Sequence, residues 1–322
     1  MKKKFYVGIH NDTDVCQNSS SGGAFTAITD YIFDLNKNTV IYGCILDQKL
    51  EAIHIRGTSK NDRDKMRGSK YISSKLVGIY NDVQNDLINN QFVIFTGTPC
   101  QIAALKLFLE NKKIKMDNLI TIDFICHGVG DNNFFKDYIK HLEKVYKSEA
   151  ISCKFRGKTK PGKFQDMVVE FKNKKKYIAS TTNLDWFYSI YHSNLILKEG
   201  CYNCKFVENK HSDITLADDW SINRDKLNAH SLIITNTNKG DKIVKSLLNF
   251  NFKEINENEI NQPNSKHATL KPENYEEFWL IYKKNGYLAA QKYFGNNTLK
   301  GKIKVCIANI IDRLNLRKLI KK

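Results

Sequence analysis

The chain has 322 residues, 41% hydrophobic and 11% aromatic with four prolines, so it builds substantial cores and is not a disordered polymer. Its 51 Lys and Arg against 34 Asp and Glu give a formal charge of +17, a balance that suits anionic cofactors, acidic partners, nucleic acid or a membrane surface. No zinc-finger spacing or RNA-recognition signature is visible, no run approaches the roughly 18 apolar residues of a membrane span, and the apolar run before His10 is too short for a signal peptide.

A cytoplasmic protein that does not bind nucleic acid is the resulting expectation. Eight cysteines in that compartment point to ligands, catalysts or buried small residues rather than disulfides.

In chain order, FYVGI reads as a short strand, GAFTAITDYIFDL as a helix, and TVIYGCIL and EAIHIRG as strands. KLVGIYNDVQNDLIN is a second helix. The strands FVIFTG and LITIDFI follow, separated by the helix QIAALKLFLEN, and NNFFKDYIKHLEKVYK closes the region as a helix. This alternation predicts an α/β fold over residues 1–149, a mostly parallel sheet with helices on both faces.

After residue 150 the rhythm changes. ISCKFRG, DMVVEFKN and KKYIAS read as a meander of strands, and a helix near LDWFYSIYHSNLIL leads into CYNC. DITLADDW and SLIITN are further strands. Residues 150–238 are therefore expected to form a second, α+β part carrying a CxxC loop, and residues 239–322 a mainly helical C-terminal region. Within that region INENEINQPNSK reads as a linker or surface loop. From Thr298 onward eight Lys or Arg stand against one Asp, the pattern of a basic amphipathic helix that is either solvated or laid on an anionic membrane or partner.

Cysteine placement raises the chemical question. Pro99 suits the first turn of a helix, so Cys100 lies on a strand-to-helix turn, at the strand end where open α/β sheets bind ligands. A nucleophile, a metal or cluster ligand and an apolar filler all remain open there. Cys201 and Cys204 of CYNC can chelate one metal or two irons of a cluster, or form a redox dithiol. Cys126 follows LITIDFI as Cys100 follows FVIFTG, so neighbouring strands would aim both sulfurs into one crevice. Four thiolates are the complement of a 4Fe-4S cluster, whereas structural zinc usually draws two close pairs. Cys16, Cys44, Cys153 and Cys306 read as buried small residues.

Two loops add candidates. In NSSSGGAF, Ser20 and Ser21 can cap the following helix, while Gly22 and Gly23 let backbone approach a ligand such as a dinucleotide pyrophosphate, or serve plain capping. RGSKYISSK supplies the donor Lys70 and a stacking Tyr71, or is simply a charged loop. His127 could donate a proton, or be structural.

The stretches NSSSGGAFTAI, RGSKYISS, FTGTPCQIAALK, DFICHGV, FRGK, CYNCKF, SDITLADDW and NTNKG together resemble the beta-subunit family of coenzyme F420 hydrogenases and dehydrogenases. They occur in the family's order across roughly residues 18 to 240. The resemblance implies an FAD-binding iron–sulfur oxidoreductase, with Cys100, Cys126, Cys201 and Cys204 as 4Fe-4S ligands. It implies a flavin site lined by Ser20, Gly22, Gly23, Lys70 and Thr98, with Ser21, Tyr71 and Thr96 in the same stretches and His127 as the catalytic candidate.

Two departures stand out. The family favours glycine at the positions of Ala217 and Ser221 and an aromatic at Asp219. Many members also begin with a ferredoxin-like segment, whereas only Cys16 and Cys44 precede FVIFTG here. Short members resemble proteins accompanying surface-polysaccharide biosynthesis. The expectation is thus an external ferredoxin or flavodoxin donor and a small organic or sugar-type acceptor. The rival is a non-catalytic accessory subunit with a structural cluster or zinc.

Overall fold

The computed structural model describes residues 2–159, 164–179, 185–221, 228–295 and the single positions 303 and 307. The first part begins with β1 (Lys4–His10), α1 (Thr13–Asn18), α2 (Ala24–Leu35), β2 (Thr39–Leu46), β3 (Ala52–Gly57) and α3 (Lys60–Met66). It continues with α4 (Ile79–Ile88), β4 (Phe92–Thr96), α5 (Pro99–Asn111), β5 (Leu119–Phe124) and α6 (Asn132–Tyr146).

Next come β6 (Ala150–Gly157), β7 (Asp166–Phe171), β8 (Lys176–Ala179), α7 (Trp186–His192) and the short α8 (Glu199–Tyr202). The described chain closes with β9 (Ile214–Asp218), β10 (Ser231–Thr235), α9 (Asn238–Lys245), β11 (Phe250–Ile255), α10 (Tyr275–Asn285) and α11 (Tyr287–Phe294).

Strands β2, β4, β5 and β9 pair in parallel and form the centre of an eight-stranded sheet ordered β11-β1-β10-β9-β5-β4-β2-β3. A strand covered on both faces reads as a continuous apolar run. Val93, Ile94 and Phe95 of β4 are accordingly all buried. One face packs Ile28, Ile32, Ile94, Ile120 and Val244 under α2 and α9; the other packs Val40, Tyr42, Val83 and Leu105 under α4 and α5. The α/β class holds. The sheet as a whole is mixed, because β1, β3, β10 and β11 join antiparallel to their neighbours.

Residues expected to form a separate α+β part divide in two. The meander β6-β7-β8 makes a small antiparallel sheet, packed with α6, α7, α10 and α11 on an aromatic core around Phe134, Phe187 and Phe278. The strands β9 and β10 return to the main sheet. The expected helical region contains the edge strand β11. The stretch read as a linker begins in β11, forms two 3-10 turns and buries Gln262, whose amide donates to the Asp218 carbonyl at 2.7 Å. The basic stretch from Thr298 on, with Cys306, lies outside the described residues apart from the positions 303 and 307. Among the described residues no helix is long and apolar enough to cross a membrane.

A candidate cofactor site at the carboxyl ends of the parallel strands

Strands β4 and β5 are direct parallel neighbours, Thr96 opposite Ile122, so the turns that follow them open on the same end of the sheet. Pro99 starts α5, and the Gln101 side chain returns to accept the Thr98 amide at 2.9 Å, which fixes the first helical turn. Cys100 sits there exposed, its Sγ 3.1 Å from Thr98 Oγ1. Cys126 follows β5 in the sequence CHGVG. Gly128 takes φ +105° and lends its N–H to Cys126 Sγ at 3.4 Å.

Loop-to-loop pairing delivers the other two cysteines. Gly130 bridges Ile72 on one side and Leu197 on the other, tying the RGSKYISS, CHGVG and LILKEGCYNC segments together. A Cβ on Gly128 would stand 2.8 Å from Leu197 Cδ1 and 3.3 Å from Cys201 Cβ, so the glycine is required for this approach. Cys126 feels the charges of Cys100, Cys201 and Cys204 together. Burial pushes its thiol up to about 12, the other three cysteines add to that, and the Gly128 amide opposes it. Burial likewise raises the Cys201 thiol, against a hydrogen bond from the Val129 backbone.

The four sequence-selected cysteines therefore form one group. Thiols that burial holds protonated, with no cationic side chain beside them to activate a thiolate, do not suit a redox dithiol, and the backbone N–H groups facing two of the sulfurs suit thiolates that a cluster would ionise. No three His, Cys, Asp or Glu side chains among the described residues are set to hold a single metal ion. Tetrahedral zinc, with bonds of about 2.3 Å, needs its sulfurs within about 4 Å of one another. A four-iron cluster gives each thiolate its own iron and spreads them wider.

Beside the cysteines an aromatic cluster joins the two sheets. Tyr71 packs on Tyr191 at 4.8 Å and edge-on to Phe155 and Tyr188, and the Tyr191 hydroxyl donates to the Gly128 carbonyl at 2.9 Å. His127 meets Trp220 edge-on at 5.5 Å; burial lowers its pKa, with Asp218 and Arg156 acting in opposite senses. His192 still reaches solvent, yet surrounding protein and the nearby His127 and Arg156 lower its pKa to about 4. Both histidines are neutral at pH 7.

Two lysines near these loops are held by backbone oxygens. Lys70 Nζ donates to the Met66 and Arg67 carbonyls, both at 2.9 Å. Lys158 Nζ donates to the carbonyls of Cys16 at 2.6 Å and Ser21 at 2.8 Å. Burial lowers each to about 8, and neither makes an ion pair among the described residues. Buried cations without counter-ions suit an anionic ligand.

The serine–glycine loop is held beside the RGSKY loop by Ser20, whose hydroxyl accepts from the Ser69 amide at 2.9 Å, and against β10 by Ser21, which donates to the His230 carbonyl at 2.6 Å. Its glycines are required by the chain's own packing. A Cβ on Gly22 would stand 2.6 Å from the Gly8 carbonyl oxygen and 2.7 Å from the Ser231 amide nitrogen, so the chain's own β1 and β10 occupy that space. Gly23 caps α2 at φ +87°. Thr96 is engaged within the sheet, its hydroxyl donating to the Tyr42 carbonyl at 3.2 Å. The departure at Ala217 is filled from within as well, by packing on the Phe5, Val7 and Ile125 cluster.

Sequence reasoning missed Arg156, Lys158, His192 and Trp220. The FRGK stretch held the available signal, two cations at the end of a strand. His192 carried none, because its position depends on α7 packing across the small sheet.

A family model that describes the C-terminal region of the beta subunit of coenzyme F420 hydrogenase/dehydrogenase matches residues 91–260, just over half of the chain. The chain belongs to this family. The matched span carries all four cysteines, His127, Arg156 and Lys158, while the serine–glycine and RGSKY loops precede it. No curated protein matches the chain. Among solved structures, it is similar to a chain of the xenon-derivatised F420-reducing NiFe hydrogenase complex from Methanosarcina barkeri, at 15% identity and a TM-score of 0.52 over 89% of each chain. That likeness is one of fold. Family membership makes an oxidoreductase-type, electron-transferring role the coarse function.

Proposed function

We propose that the chain is an FAD- and 4Fe-4S-dependent oxidoreductase that takes electrons from an external acidic donor and passes them to a small organic or sugar-type acceptor. The observation that carries this reading is the convergence of Cys100, Cys126, Cys201 and Cys204, with Lys70 and Lys158 held near the same loops without an ion pair among the described residues. Cys100, Cys126, Cys201 and Cys204 would hold the cluster, with the Gly128 and Val129 amides facing two of the sulfurs. Such N–H contacts, and the N-terminus of α5 beneath Cys100, stabilise negative charge on the ligands.

Lys70, Lys158 and the Ser20–Ser69 junction would bind the flavin phosphates, and Tyr71 offers an aromatic face at the same place. When bound, the cluster supplies single electrons and the flavin converts them to two-electron chemistry. The chain's own residues position and enclose. Trp220 packs edge-on against His127, and His127, its pKa lowered by burial, can hold a hydrogen bond to a bound group.

Anaerobic purification followed by visible spectroscopy with iron, sulfide and zinc analysis tests the proposal. Bands of flavin and cluster with about four irons per chain support it; zinc alone, or neither chromophore after reconstitution, overturns it.

A further inference from the structure

The CHGVG turn after β5 contains two successive peptides that are engaged at both ends. In a trans peptide the C=O and N–H point in opposite directions, so a group that holds the oxygen also aims the hydrogen. The first peptide joins His127 to Gly128. Its carbonyl accepts from the Thr269 hydroxyl at 2.8 Å, and its N–H reaches Cys126 Sγ at 3.4 Å. The second joins Gly128 to Val129. Its carbonyl accepts from the Tyr191 hydroxyl at 2.9 Å, and its N–H bonds the Cys201 sulfur.

Both hydroxyls are themselves fixed. Thr269 lies between the second 3-10 turn and α10, 142 residues from His127. Its oxygen accepts from the Asn264 side-chain amide at 2.9 Å, which leaves its one hydrogen for His127. Tyr191 of α7 is buried, its ring packed against Tyr71 and Phe187. Gly128, at φ +105°, is shared by the two peptides. Glycine tolerates many orientations of its flanking peptides, so the backbone alone does not decide where the two N–H groups point.

We propose that Thr269 and Tyr191 are positioning residues that aim and polarise the Gly128 and Val129 amides at two of the four sulfurs, and so raise the reduction potential of the cluster held there. This inference rests on the cluster reading above. Reduction adds negative charge to a cluster and its thiolates, and N–H donors at sulfur favour the more negative state. A hydroxyl bonded to the carbonyl of the same peptide strengthens that donor, because hydrogen bonds in a chain polarise one another.

Anaerobic redox titration of the reconstituted full chain, followed by visible absorbance and EPR, tests this. Thr269→Val and Tyr191→Phe should each keep about four irons per chain. Each should shift the reduction equilibrium about three- to tenfold toward the oxidised form, a fall of up to about 59 mV in midpoint potential. Thr269→Ser restores the hydroxyl and should keep the wild-type midpoint. Thr269 is only half-buried, so its two variants read the effect even where Tyr191→Phe weakens folding. An unchanged or raised midpoint in Thr269→Val overturns the proposal, as does an equal fall in Thr269→Ser, since mere packing would not single out the hydroxyl. A wild-type chain that assembles no cluster overturns the cluster reading and this inference with it; a wild-type cluster indifferent to both hydroxyls overturns this inference alone.

Discussion

Arg156 of β6 and Asp218 of β9 form a 2.7 Å ion pair that joins the small sheet to the large one. The guanidinium is 8% exposed, and it also donates to the Phe164 carbonyl at 3.3 Å. Burial, the largest single effect, would lower the Arg156 pKa, yet the Asp218 charge and hydrogen bond together with Tyr71 and Tyr188 outweigh it and hold it above the ordinary value. Removing one member of such a pair strands the other charge, at a cost of about 3–5 kcal/mol. Arg156→Met and Asp218→Asn should each destabilise the chain by an amount in that range. The double variant should cost clearly less than the sum. Additive losses in denaturant titrations would show that the two sheets are not coupled through this pair.

Cysteine-to-serine replacement separates ligand from filler. Cys100→Ser, Cys126→Ser, Cys201→Ser and Cys204→Ser should each lower iron per chain sharply, whereas Cys44→Ser, on β2, should not. Equal iron in all five variants would defeat the ligand assignment. Cys126→Ser should be the most disruptive to folding of the four, because its sulfur is the most strongly desolvated.

Most of the strands were legible because each is a local run of β-branched and aromatic residues, and the cysteine group because strand ends and a CxxC turn are local signals. Partner choice was not local. β1 pairs with β10 and β11, Phe5 opposite Ile234 and Ile255, more than 200 residues away, and a short apolar run carries no label for that. The same limit hid the basic side of the candidate site. Lys158 and Arg156 become site residues only when β6 folds back against the serine loop and β9. Gly22 shows the converse: the sequence announced a close approach correctly, and tertiary contact decided what approaches.

Gly22 supplies a stability prediction. Gly22→Ala drives a methyl into the Gly8 carbonyl and the Ser231 amide, backbone atoms that cannot swing aside, and should cost about 1–3 kcal/mol with or without FAD. Gly78, at φ +77° with open space around it, is the control. Gly78→Ala there costs only backbone strain, about 1 kcal/mol. A Gly22→Ala protein of wild-type stability that fails to bind FAD would assign this glycine to the cofactor site instead of to packing.

The lysines predict a pH dependence. Each has a folded pKa near 8, below the ordinary 10.5, so burial opposes the charged form. In the empty protein that penalty is fully present below pH 8 and disappears as pH rises past 10.5. An anion bound by both ammonium groups reverses the preference. FAD affinity should therefore be flat below pH 8 and fall above it, by on the order of tenfold or more at pH 9.5. Lys158→Met should weaken FAD binding at pH 7 and flatten the profile, while leaving the empty protein as stable or more so. Fluorescence titration of FAD reads both, and an unchanged profile in Lys158→Met would remove that residue from the site.

The path of electrons into the proposed cluster follows from exposure. Cys100 is the exposed member of the four cysteines, so a donor must dock on that side. Lys198 and Lys205 flank the CxxC turn and are themselves exposed, within a chain of net charge +17. An acidic ferredoxin or flavodoxin approaching this surface would be steered by opposite charge, and steering fades as salt shortens the range of the field. Reduction of the bound flavin by such a donor should be fast in low salt and slow by about tenfold or more in 0.5 M salt. Replacing Lys198 and Lys205 together with Glu should give slow reduction already at low salt and leave iron and flavin contents unchanged. Stopped-flow absorbance separates the cases. Salt-insensitive reduction at equal rate in both proteins would place the docking surface elsewhere.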